Sequence, residues 1–437
     1  MISDQINIMT NKTICLILGG GVGSRLYPLT QHCSKPAVPI GGKYKLIDIP
    51  IANCLHSNFK QIFVLTQYNA ASLNQHIKNT YNFDAFSDRQ VEILAAEQRL
   101  NDMNWYRGTA DAVRQSLSYI DQLDYDHLLV LSGDQLYEMD LQKMLSKHID
   151  SAADITIATK PVVAEEAVRF GIMKTNYNQK ILSFIEKPIA SVVNQWKSEL
   201  DIPQKVQGKN FLASMGIYFF RKDAIQRLFS VLPNALDFGK EIIPHAIENK
   251  FQVYSFLFDK YWEDIGTIRS YFETNMALAK GNCKYEFKLD KKIFTLPTMH
   301  PPSQIKGTRI QDVLLGEGGK IAAKELTSSV LGNLTRIDED VTIRQSVIFG
   351  NDFWDENGTS EIPRIGIGKN TQIENAIIDK NARIGKNVKI IGSENLPDGR
   401  FSNYTVTDGI IIIHRNAIIP DNTFIGVKVL QKEVVHF

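Results

Sequence analysis

Over its first two thirds, the chain alternates short apolar runs with longer segments of helical character. The apolar runs are ICLIL, QIFVLTQ, HLLVLSGD and DITIAT. Strands that alternate with helices in this way form a mainly parallel sheet with helices on both faces. Ligands of such folds bind beyond the carboxyl ends of the strands. The pattern therefore predicts an α/β domain over residues 13–280, with a ligand site near Gly19 and Asp134.

The hydrophobic pattern changes beyond residue 280. The segment KLDKKIFTLPTMHPPS holds three prolines within six residues, which predicts an extended linker over residues 281–303. One inward apolar side chain per six residues is typical of a parallel β-helix, which we predict for residues 304–437. A five-residue step and the insert NDFWDENGTSEIP interrupt the count, so a plain β-rich domain is the alternative. The isoleucines in six-residue steps are Ile337 and Ile343, Ile367 and Ile373, and Ile378, Ile384 and Ile390.

Length and charge narrow the class of protein. A chain of 437 residues suggests two domains, and 49 basic against 48 acidic residues give a net charge of +1. Bulk charge therefore argues against nucleic acid or an anionic membrane as the main partner. No apolar run approaches the roughly 20 residues of a membrane span, and MISDQINIMTNK lacks targeting features, so we expect a cytoplasmic protein. The cysteines lack metal-ligand spacing and are expected to be reduced and unlinked: Cys15, Cys33, Cys54 and Cys283.

A glycine-rich, basic loop follows the first apolar run, in GGGVGSRLYPLTQHCSKPAVP. Glycines lack Cβ atoms, so their backbone N–H groups can approach an anion closely, and Arg25 and Lys35 add full positive charge. Neither a Walker A motif nor the dinucleotide fingerprint G-x-G-x-x-G fits this stretch. We predict a phosphate-binding loop of a third kind, with its amides at Gly19, Gly20, Gly21 and Gly23.

Two aspartates are candidate metal ligands. Asp134 ends the apolar strand of LVLSGDQLY, and Asp264 precedes a glycine turn in YWEDIGT. Mg²⁺ takes one or two carboxylates together with phosphate oxygens, so a strand-end carboxylate near a phosphate loop suits it. Taken alone, each motif also fits a plain structural role: a turn aspartate at Asp134 and a helix N-cap region at Asp264.

Three further segments carry groups suited to a sugar phosphate. Lys187 in FIEKP is a compact charge that can hold one phosphate, although a solvated pair with Glu186 is the plainer interpretation. WYRGTADAV supplies Trp105 and Tyr106, and FLASMGIYFF supplies Ser214. A buried core aromatic is the alternative for Trp105.

These segments occur together and in a specific order. The chain resembles the ADP-glucose pyrophosphorylase (glucose-1-phosphate adenylyltransferase) family from about residue 13 to its end, and it is most similar to the cyanobacterial and plant forms. The resemblance implies a Rossmann-like mixed-sheet nucleotidyltransferase domain followed by a C-terminal left-handed parallel β-helix. The matching motifs are GGGVGSRLYPLT, KPAVPIGG, LIDIPIANC, TQYNAASLNQHI, WYRGTADAV, LSGDQLY, EKP, ASMGIY, DFGKEIIP and YWEDIGTIRSYF.

The resemblance implies transfer of the adenylyl group of ATP to α-D-glucose 1-phosphate, giving ADP-glucose and pyrophosphate for glycogen or starch synthesis. Positioning and charge neutralisation dominate such phosphoryl chemistry, with Mg²⁺ as cofactor. The implied catalytic residues are Arg25 and Lys35 on the triphosphate, Asp134 on Mg²⁺, and Lys187 on the sugar phosphate. Asp264 is implied to complete the metal site. The implied glucose 1-phosphate set is Tyr106, Gly171, Glu186, Lys187 and Ser214, and the nucleotide set is Gly19, Gly20, Gly21, Gly23, Arg25, Gln98 and Gly133.

Two departures from the family concern regulation. Family members often carry basic residues before KPAVP, where this chain has His32 and Cys33, which argues against activation by fructose 1,6-bisphosphate. GIIIIHRNAIIP resembles a region that binds a phosphorylated activator through lysine, but His414 and Arg415 stand there. Arg415 can still hold a phosphate, and His414 would make binding depend on pH near 6.5. We therefore predict a 3-phosphoglycerate-like activator.

Other functions stay open at this stage. One is another sugar-1-phosphate nucleotidyltransferase, for example one that uses GTP and mannose 1-phosphate; a second is a non-catalytic regulatory subunit. WYRGTADAV, ASMGIY and YWEDIGT favour glucose 1-phosphate and ATP, and the presence of all four charged catalytic residues favours catalysis. An acyltransferase that uses only the β-helix leaves two thirds of the chain unexplained. The resemblance also implies a homotetramer.

Overall fold

A computed structural model describes residue 10 and residues 12–84, 86–98, 104–198, 208–355 and 362–427. The N-terminal segment that lacks targeting features lies outside these residues apart from Thr10 and Lys12, as do residues 356–361 of the insert. The chain divides into two compact units. The first comprises Met1–Gly21, Ile47–Glu263 and Leu289–Phe294, and the second comprises Val22–Leu46, Asp264–Lys288 and Thr295–Phe437.

Strands and helices alternate up to residue 279, as the hydrophobic pattern predicts. The strands are β1 (Thr13–Leu18), β2 (Pro39–Ile40), β3 (Tyr44–Lys45), β4 (Gln61–Thr66), β5 (Gln90–Ala95), β6 (His127–Ser132), β7 (Gln135–Tyr137), β8 (Ile155–Val162), β9 (Gly171–Thr175), β10 (Ile181–Glu186), β11 (Phe211–Arg221), β12 (Val253–Leu257) and β13 (Trp262–Asp264). The helices are α1 (Asp48–His56), α2 (Ala71–Thr80), α3 (Thr109–Ile120), α4 (Leu141–Asp150), α5 (Ala164–Ala167), α6 (Ala190–Val193), α7 (Lys222–Val231), α8 (Ile243–Glu248) and α9 (Ile268–Ala279). Short 3₁₀ turns cover Ser24–Leu26, Lys35–Ala37 and Asn194–Trp196, and a π-helical turn covers Phe238–Ile242.

A mixed sheet forms the centre of the first unit, in the order β10-β9-β11-β6-β1-β4-β5, with β8 added on β11 and β12 on β8. Strands β6, β1, β4 and β5 run parallel, whereas β11 is antiparallel to β6, β8 and β9. Ile14, Cys15, Leu16 and Ile17 of β1 are all fully buried, because both faces of a central parallel strand are covered. Within the described residues, no helix has the length and apolar character needed to cross a membrane.

Part of the predicted linker belongs to the first unit. The Lys291 ammonium lies 2.6 Å from a Glu138 carboxylate oxygen, and the hydroxyl of Tyr81 donates to the carbonyl of Phe294 at 3.0 Å. Tyr81 also donates to the buried carboxylate of Asp48. These contacts fix residues 289–294 against the unit that contains the mixed sheet.

Short strands make up much of the rest of the second unit, and they pair in parallel except for two antiparallel pairs within residues 399–413. They are β14 (Gln304–Ile305), β15 (Arg309–Leu315), β16 (Lys320–Ile321), β17 (Glu325–Leu331), β18 (Arg336–Ile337), β19 (Thr342–Ile348), β20 (Gly366–Ile367), β21 (Gln372–Ile378), β22 (Arg383–Ile384), β23 (Lys389–Ile391), β24 (Gly399–Arg400), β25 (Tyr404–Thr407), β26 (Ile410–Ile413), β27 (Ile418–Ile419) and β28 (Phe424–Gly426). One sheet stacks β14-β16-β18-β20-β22-β27, and another stacks β15-β17-β19-β21-β26 with β23, β24, β25 and β28.

The isoleucines predicted to point inward are buried and lie in register. Ile337 pairs with Ile367, which pairs with Ile384, so one side chain of each coil stacks on the next. Each of the seven predicted isoleucines is at most 4 % exposed. The six-residue repeat was therefore a valid signal of a parallel β-helix, and the alternative of a plain β-rich domain is wrong.

An asparagine ladder follows one corner of this β-helix. Asn370, Asn387 and Asn422 have φ values of 57°, 56° and 64°, in the left-handed region that asparagine tolerates. The Asn370 amide donates to Asn387, whose amide donates to Asn422, both at 2.9 Å. The corner residues thus satisfy one another from coil to coil.

Residues 22–46 and helix α9 pack within the second unit. Thr267 caps α9 by accepting a bond from the amide of Ser270 at 3.1 Å. The hydroxyl of Tyr271 donates to the carbonyl of Pro39 at 2.6 Å, and the amide of Gly41 donates to the Asn275 side chain at 3.1 Å. The basic loop is therefore held by α9.

Candidate active site

The first glycines of the phosphate loop lie at the carboxyl end of β1. The Gly19 amide donates to the Leu65 carbonyl at 2.8 Å, and a Cβ on Gly19 would lie 3.0 Å from that oxygen. A Cβ on Gly20 would lie 3.2 Å from the Cβ of Gln67, whereas Gly21 has open space around it. Close packing against the end of β4 therefore favours glycine at the first two positions, and the third faces solvent.

Gly133 and Asp134 lie at the carboxyl end of β6, beside the end of β1. The amide of Gly133 donates to the carbonyl of Leu18 at 3.1 Å. The hydroxyl of Ser132 donates to the half-buried carboxylate of Asp134. Because β1 and β6 are parallel neighbours, the loop glycines and Asp134 occupy the same edge of the sheet.

Glu186 has backbone close on two sides. A Cβ on Gly171 would lie 2.7 Å from a Glu186 carboxylate oxygen, and one on Gly239 would lie 2.5 Å from it. Burial raises the pKa of Glu186, Asp237 adds to the rise, and Lys187 opposes it. The two glycines let a carboxylate occupy space that any other residue would fill.

Lys187 lies beside this carboxylate in a strained backbone conformation. Its φ is 47°, in the left-handed region, and its amide donates to the Phe170 carbonyl at 3.1 Å. Its ammonium lies 3.5 Å from a Glu186 oxygen, and 61 % of its side chain is exposed. The positive charge is thus presented to solvent next to Glu186. Left-handed backbone at a non-glycine residue is common at ligand sites.

Ser214 belongs to the same polar cluster. Its hydroxyl lies 3.4 Å from the hydroxyl of Tyr218 and accepts from the amide of Gly216 at 3.2 Å. Burial raises the pKa of Tyr218, Ser214 lowers it, and the charges of Glu186 and Asp237 raise it further. Glu186, Lys187, Ser214 and Tyr218 therefore form one site in the first unit.

The remaining sugar and base candidates lie in coil segments. Tyr106 is half-buried against the core, and its carbonyl accepts from the Gln67 side chain at 3.1 Å. Trp105 is 55 % exposed, so the alternative of a buried core aromatic is wrong for it. Gln98 is exposed, in the coil that follows β5.

In the second unit, Arg25, Lys35 and Asp264 come together around Gly266. The Lys35 ammonium lies 3.6 Å from an Asp264 oxygen, with Lys35 itself buried. A Cβ on Gly266 would lie 3.3 Å both from an Arg25 guanidinium nitrogen and from Asp264. Gly23 has φ 64°, and a Cβ there would lie 3.0 Å from the Cβ of Lys35. The loop is shaped to bring two cations to one carboxylate.

Another charged cluster in the second unit contains Arg415. Asp352 accepts bonds from the Arg415 guanidinium, from the Lys380 ammonium at 2.6 Å and from the Asn381 amide at 3.0 Å. Burial works against ionisation of Asp352, yet Lys380 and Arg415 hold its pKa below the ordinary value. This carboxylate therefore pairs with Arg415, which we predicted to bind a phosphorylated effector, and with Lys380, which the sequence analysis did not indicate.

His414 and Cys33 have shifted pKa values in the same unit. Burial lowers the pKa of His414, and His32 lowers it further; its ring nitrogens lie 2.8 Å from the Thr405 hydroxyl and 3.2 Å from the Ser402 carbonyl. Burial, together with Asp379, raises the pKa of Cys33 to about 11. The two shifts favour the neutral imidazole of His414 and the protonated thiol of Cys33.

Several residues of these clusters escaped the sequence analysis. Tyr218, Asp237 and Gly239 lie in or next to ASMGIY and DFGKEIIP, motifs that carry the family resemblance, and those motifs were the available signal. Asp352 lies in an insert that sequence reasoning treated only as an interruption. Its pairing with residues 28 and 63 positions away has no local signal.

The two carboxylates that we predicted to bind Mg²⁺, Asp134 and Asp264, belong to different units. In the described ranges, no group of three or more His, Cys, Asp or Glu side chains is arranged to hold an ion. Asp134 in the first unit and Asp264 in the second offer hard carboxylate oxygens. Because Mg²⁺ keeps phosphate and water ligands and takes only one or two carboxylates, both residues fit it.

Two family models match the chain. The model described as Nucleotidyl transferase matches residues 14–281, more than half of the chain, and the GLGC left-handed parallel beta-helix domain matches residues 298–424. The first match spans the phosphate loop, Asp134, Lys187 and Asp264, and the second spans Arg415. The chain therefore belongs to the nucleotidyl transferase family, in the two-domain architecture of ADP-glucose pyrophosphorylase, a type of sugar-1-phosphate nucleotidyltransferase.

Proposed function

We propose that the protein transfers the adenylyl group of ATP to α-D-glucose 1-phosphate and releases pyrophosphate. The observation that carries this proposal is the polar cluster of the first unit, which combines a half-buried carboxylate, two hydroxyls and an exposed lysine. A carboxylate and hydroxyls suit the hydroxyl groups of a sugar, and a neighbouring lysine suits its phosphate. Glu186, Ser214 and Tyr218 bind the glucose ring, with Gly171 leaving room for Glu186, and Lys187 binds the phosphate.

The phosphate loop and its two cations bind the triphosphate. Amides of Gly20, Gly21 and Gly23 face the phosphates, whereas the Gly19 amide donates to the Leu65 carbonyl and shapes the start of the loop. Arg25 and Lys35 balance the charge that builds on the departing pyrophosphate. Tyr106, Gln98 and Gly133 complete the substrate contacts as the family resemblance implies. Asp134 and Asp264 hold Mg²⁺, which, when bound, neutralises phosphate charge and aligns the reacting groups.

The reaction needs no covalent intermediate. An oxygen of the sugar phosphate attacks the α-phosphorus of ATP in line, the bond from that phosphorus to the β-phosphate oxygen breaks, and pyrophosphate leaves. A phosphate monoester has a second pKa of about 6, so the nucleophile is already an anion near neutral pH and needs no strong base. Lys187 offsets the repulsion between the two anions, and orientation supplies much of the remaining rate enhancement.

Regulation is a second part of the proposal. Arg415, with its neighbour Lys380, binds a phosphorylated effector of the 3-phosphoglycerate type, and His32 and His414 border that site. Because the pKa of His414 lies below its ordinary value, its titration falls on the acidic side of pH 6.5. A flat activity response to millimolar 3-phosphoglycerate between pH 6 and pH 8 would dismiss this effector. Assembly as a homotetramer also stays a prediction.

One assay separates the proposed activity from its alternatives. Pyrophosphate release is measured for the purified chain with ATP, UTP, GTP and dTTP, each with glucose 1-phosphate and with mannose 1-phosphate. We expect release with ATP and glucose 1-phosphate. Preference for another nucleotide or sugar would identify a different sugar-1-phosphate nucleotidyltransferase, and no release with any combination would identify a regulatory subunit.

A further inference from the structure

Gln135 follows the proposed metal ligand Asp134 directly and is itself only 6 % exposed. Both the nitrogen and the oxygen of its side-chain amide form hydrogen bonds. The nitrogen donates to the carbonyl of Met215 at 2.8 Å, and the oxygen accepts from the indole N–H of Trp262 at 3.0 Å. Both partners are distant in sequence, and a buried amide satisfied on both sides by distant groups fixes their relative positions.

The Met215 carbonyl belongs to a bulge in β11. Ser214 lies opposite Thr159 of β8, and Tyr218 lies opposite Ile157, so three residues of β11 face one residue of β8. Gly216, within the bulge, has φ 68°. A bulge re-aims the side chains beside it and leaves backbone groups unpaired. The Gln135 side chain bonds one of these backbone groups, the Met215 carbonyl, which lies between Ser214 and Tyr218 in the sequence.

Trp262 connects Gln135 to the lysine segment. Its ring packs against Phe170, with the ring centroids 5.1 Å apart. The carbonyl of Phe170 accepts the amide of Lys187, and Gly171 follows directly. A displaced indole would therefore shift the segment that holds Lys187 in its left-handed conformation.

We infer that Gln135 is a positioning residue for the sugar phosphate, because its amide joins the β11 bulge that carries Ser214 and Tyr218 to the Trp262–Phe170 contact beneath Lys187. This inference rests on the proposed binding role of the cluster. It predicts that loss of the amide affects the sugar 1-phosphate more than ATP.

Three variants test the inference. Gln135→Leu removes both bonds at similar size, Gln135→Glu keeps the acceptor for Trp262 but loses the donor to Met215, and Gln252→Leu is the matched control. The Gln252 amide likewise accepts from one group, the Lys180 ammonium at 2.9 Å, and donates to another, the Lys250 carbonyl at 3.3 Å. In both Gln135 variants we expect the KM for glucose 1-phosphate to rise about tenfold with the KM for ATP within about twofold, and in the control no change.

A spectroscopic readout follows the two bonds separately. In protein labelled with 5-fluorotryptophan, the ¹⁹F signal of Trp262, assigned with Trp262→Phe, should move in Gln135→Leu and stay in place in Gln135→Glu and in the control. A KM for the sugar phosphate that stays within about twofold of the unmodified protein in both Gln135 variants, with only the melting temperature lowered, would overturn the inference. Equal increases in the KM values of both substrates would also overturn it.

The proposed function can fail separately. If the unmodified chain accepts another sugar 1-phosphate, the same comparison is made with that substrate and tests Gln135 unchanged. If it releases no pyrophosphate at all, the proposed function fails, and the inference is then tested by the affinity of each variant for glucose 1-phosphate in equilibrium dialysis. The expected loss is again about tenfold, and an unchanged affinity would overturn the positioning role.

Discussion

Each of the two units contains a carboxylate beside cations proposed to bind phosphate, and the two carboxylates behave in opposite ways. Glu186 has a raised pKa because burial outweighs the effect of Lys187, whose ammonium is 3.5 Å away and largely in solvent. Asp352 is also partly buried, yet Lys380 and Arg415 contact it directly and lower its pKa. The surroundings of Glu186 thus disfavour its ionised form, whereas the two cations beside Asp352 stabilise its ionised form.

This difference in ion pairing predicts a difference in how readily each cation can bind a phosphate. A ligand at Lys187 meets a cation that is already exposed, so binding requires little rearrangement. A phosphate at Arg415 must first displace Asp352, so part of its binding free energy is spent on breaking an existing ion pair. We expect the first arrangement at a substrate site and the second at a site that responds only to a sufficient effector concentration.

We expect the largest effect from Asp134, a carboxylate that belongs to neither the Glu186–Lys187 pair nor the Asp352–Arg415 pair. Its substitution shows how much activity is lost with a metal ligand. Asp134→Asn should lower kcat by about 10³-fold with the fold intact, because charge neutralisation at the reacting phosphates is lost. Steady-state rates at saturating Mg²⁺ test this. The control is Asp121→Asn, which changes a surface carboxylate that accepts a bond from the Tyr125 hydroxyl. A near-normal rate would exclude Asp134 as a metal ligand.

Lys187→Met should raise the KM for glucose 1-phosphate by about 10- to 100-fold, because a charge-assisted bond to the phosphate is lost. The KM for ATP should change little. Initial-rate measurements with each substrate varied in turn check this. The control is Lys174→Met, because the Lys174 ammonium lies over the ring of Trp196, which is not a proposed site residue. Equal effects on both substrates would contradict the assignment of Lys187 to the sugar phosphate.

Asp352→Asn should lower the half-activating concentration of 3-phosphoglycerate by about two- to fivefold, since partly exposed ion pairs contribute modestly. Activity titrations with the effector measure it. Glu339→Gln, which removes the exposed ion pair with Lys369, is the control. An unchanged or higher half-activating concentration would show that Asp352 does not compete with the effector.

The smallest expected effect is a change in melting temperature in Glu186→Gln. The melting temperature should rise, because the ionised form of Glu186 is disfavoured in the folded chain, unlike that of Asp352. The pKa of Glu186 is higher in the folded chain than its ordinary 4.5, so the ionised form disfavours folding above the folded pKa. The variant should therefore melt about 1–3 °C higher at pH 8, and the gain should vanish below pH 4.5. Calorimetry across pH checks this; a lower melting temperature at pH 8 would contradict it.

How far the sequence predicts this molecule depends on the range of the interactions. The inward isoleucines follow from a local six-residue period, and Ile337, Ile367 and Ile384 stack as that period requires. Gly19 and Asp134 at the strand ends follow from apolar runs that end in glycine. Both predictions use information within a few neighbouring residues.

Contacts between distant residues had no such signal. The approach of Gly239 to Glu186 and the pairing of Asp352 with Arg415 depend on tertiary packing across 53 and 63 positions. Family resemblance indicated Glu186 and Arg415 individually, but neither their neighbours nor the direction of their pKa shifts. For Trp105 the alternative of a core position is wrong, because the coil that holds it leaves 55 % of the residue exposed.

The asparagine ladder sets the size of change that the β-helix can accept. Asn370 and Asn387 lie 17 residues apart along the chain, and Asn422 occupies the same corner 35 residues beyond Asn387. Adding or removing one whole coil would keep every rung of the ladder occupied, whereas a change of a few residues at a corner would leave an amide unmatched. Insertions and deletions in this domain should therefore come in complete coils, or as loops that leave the stack and return to it.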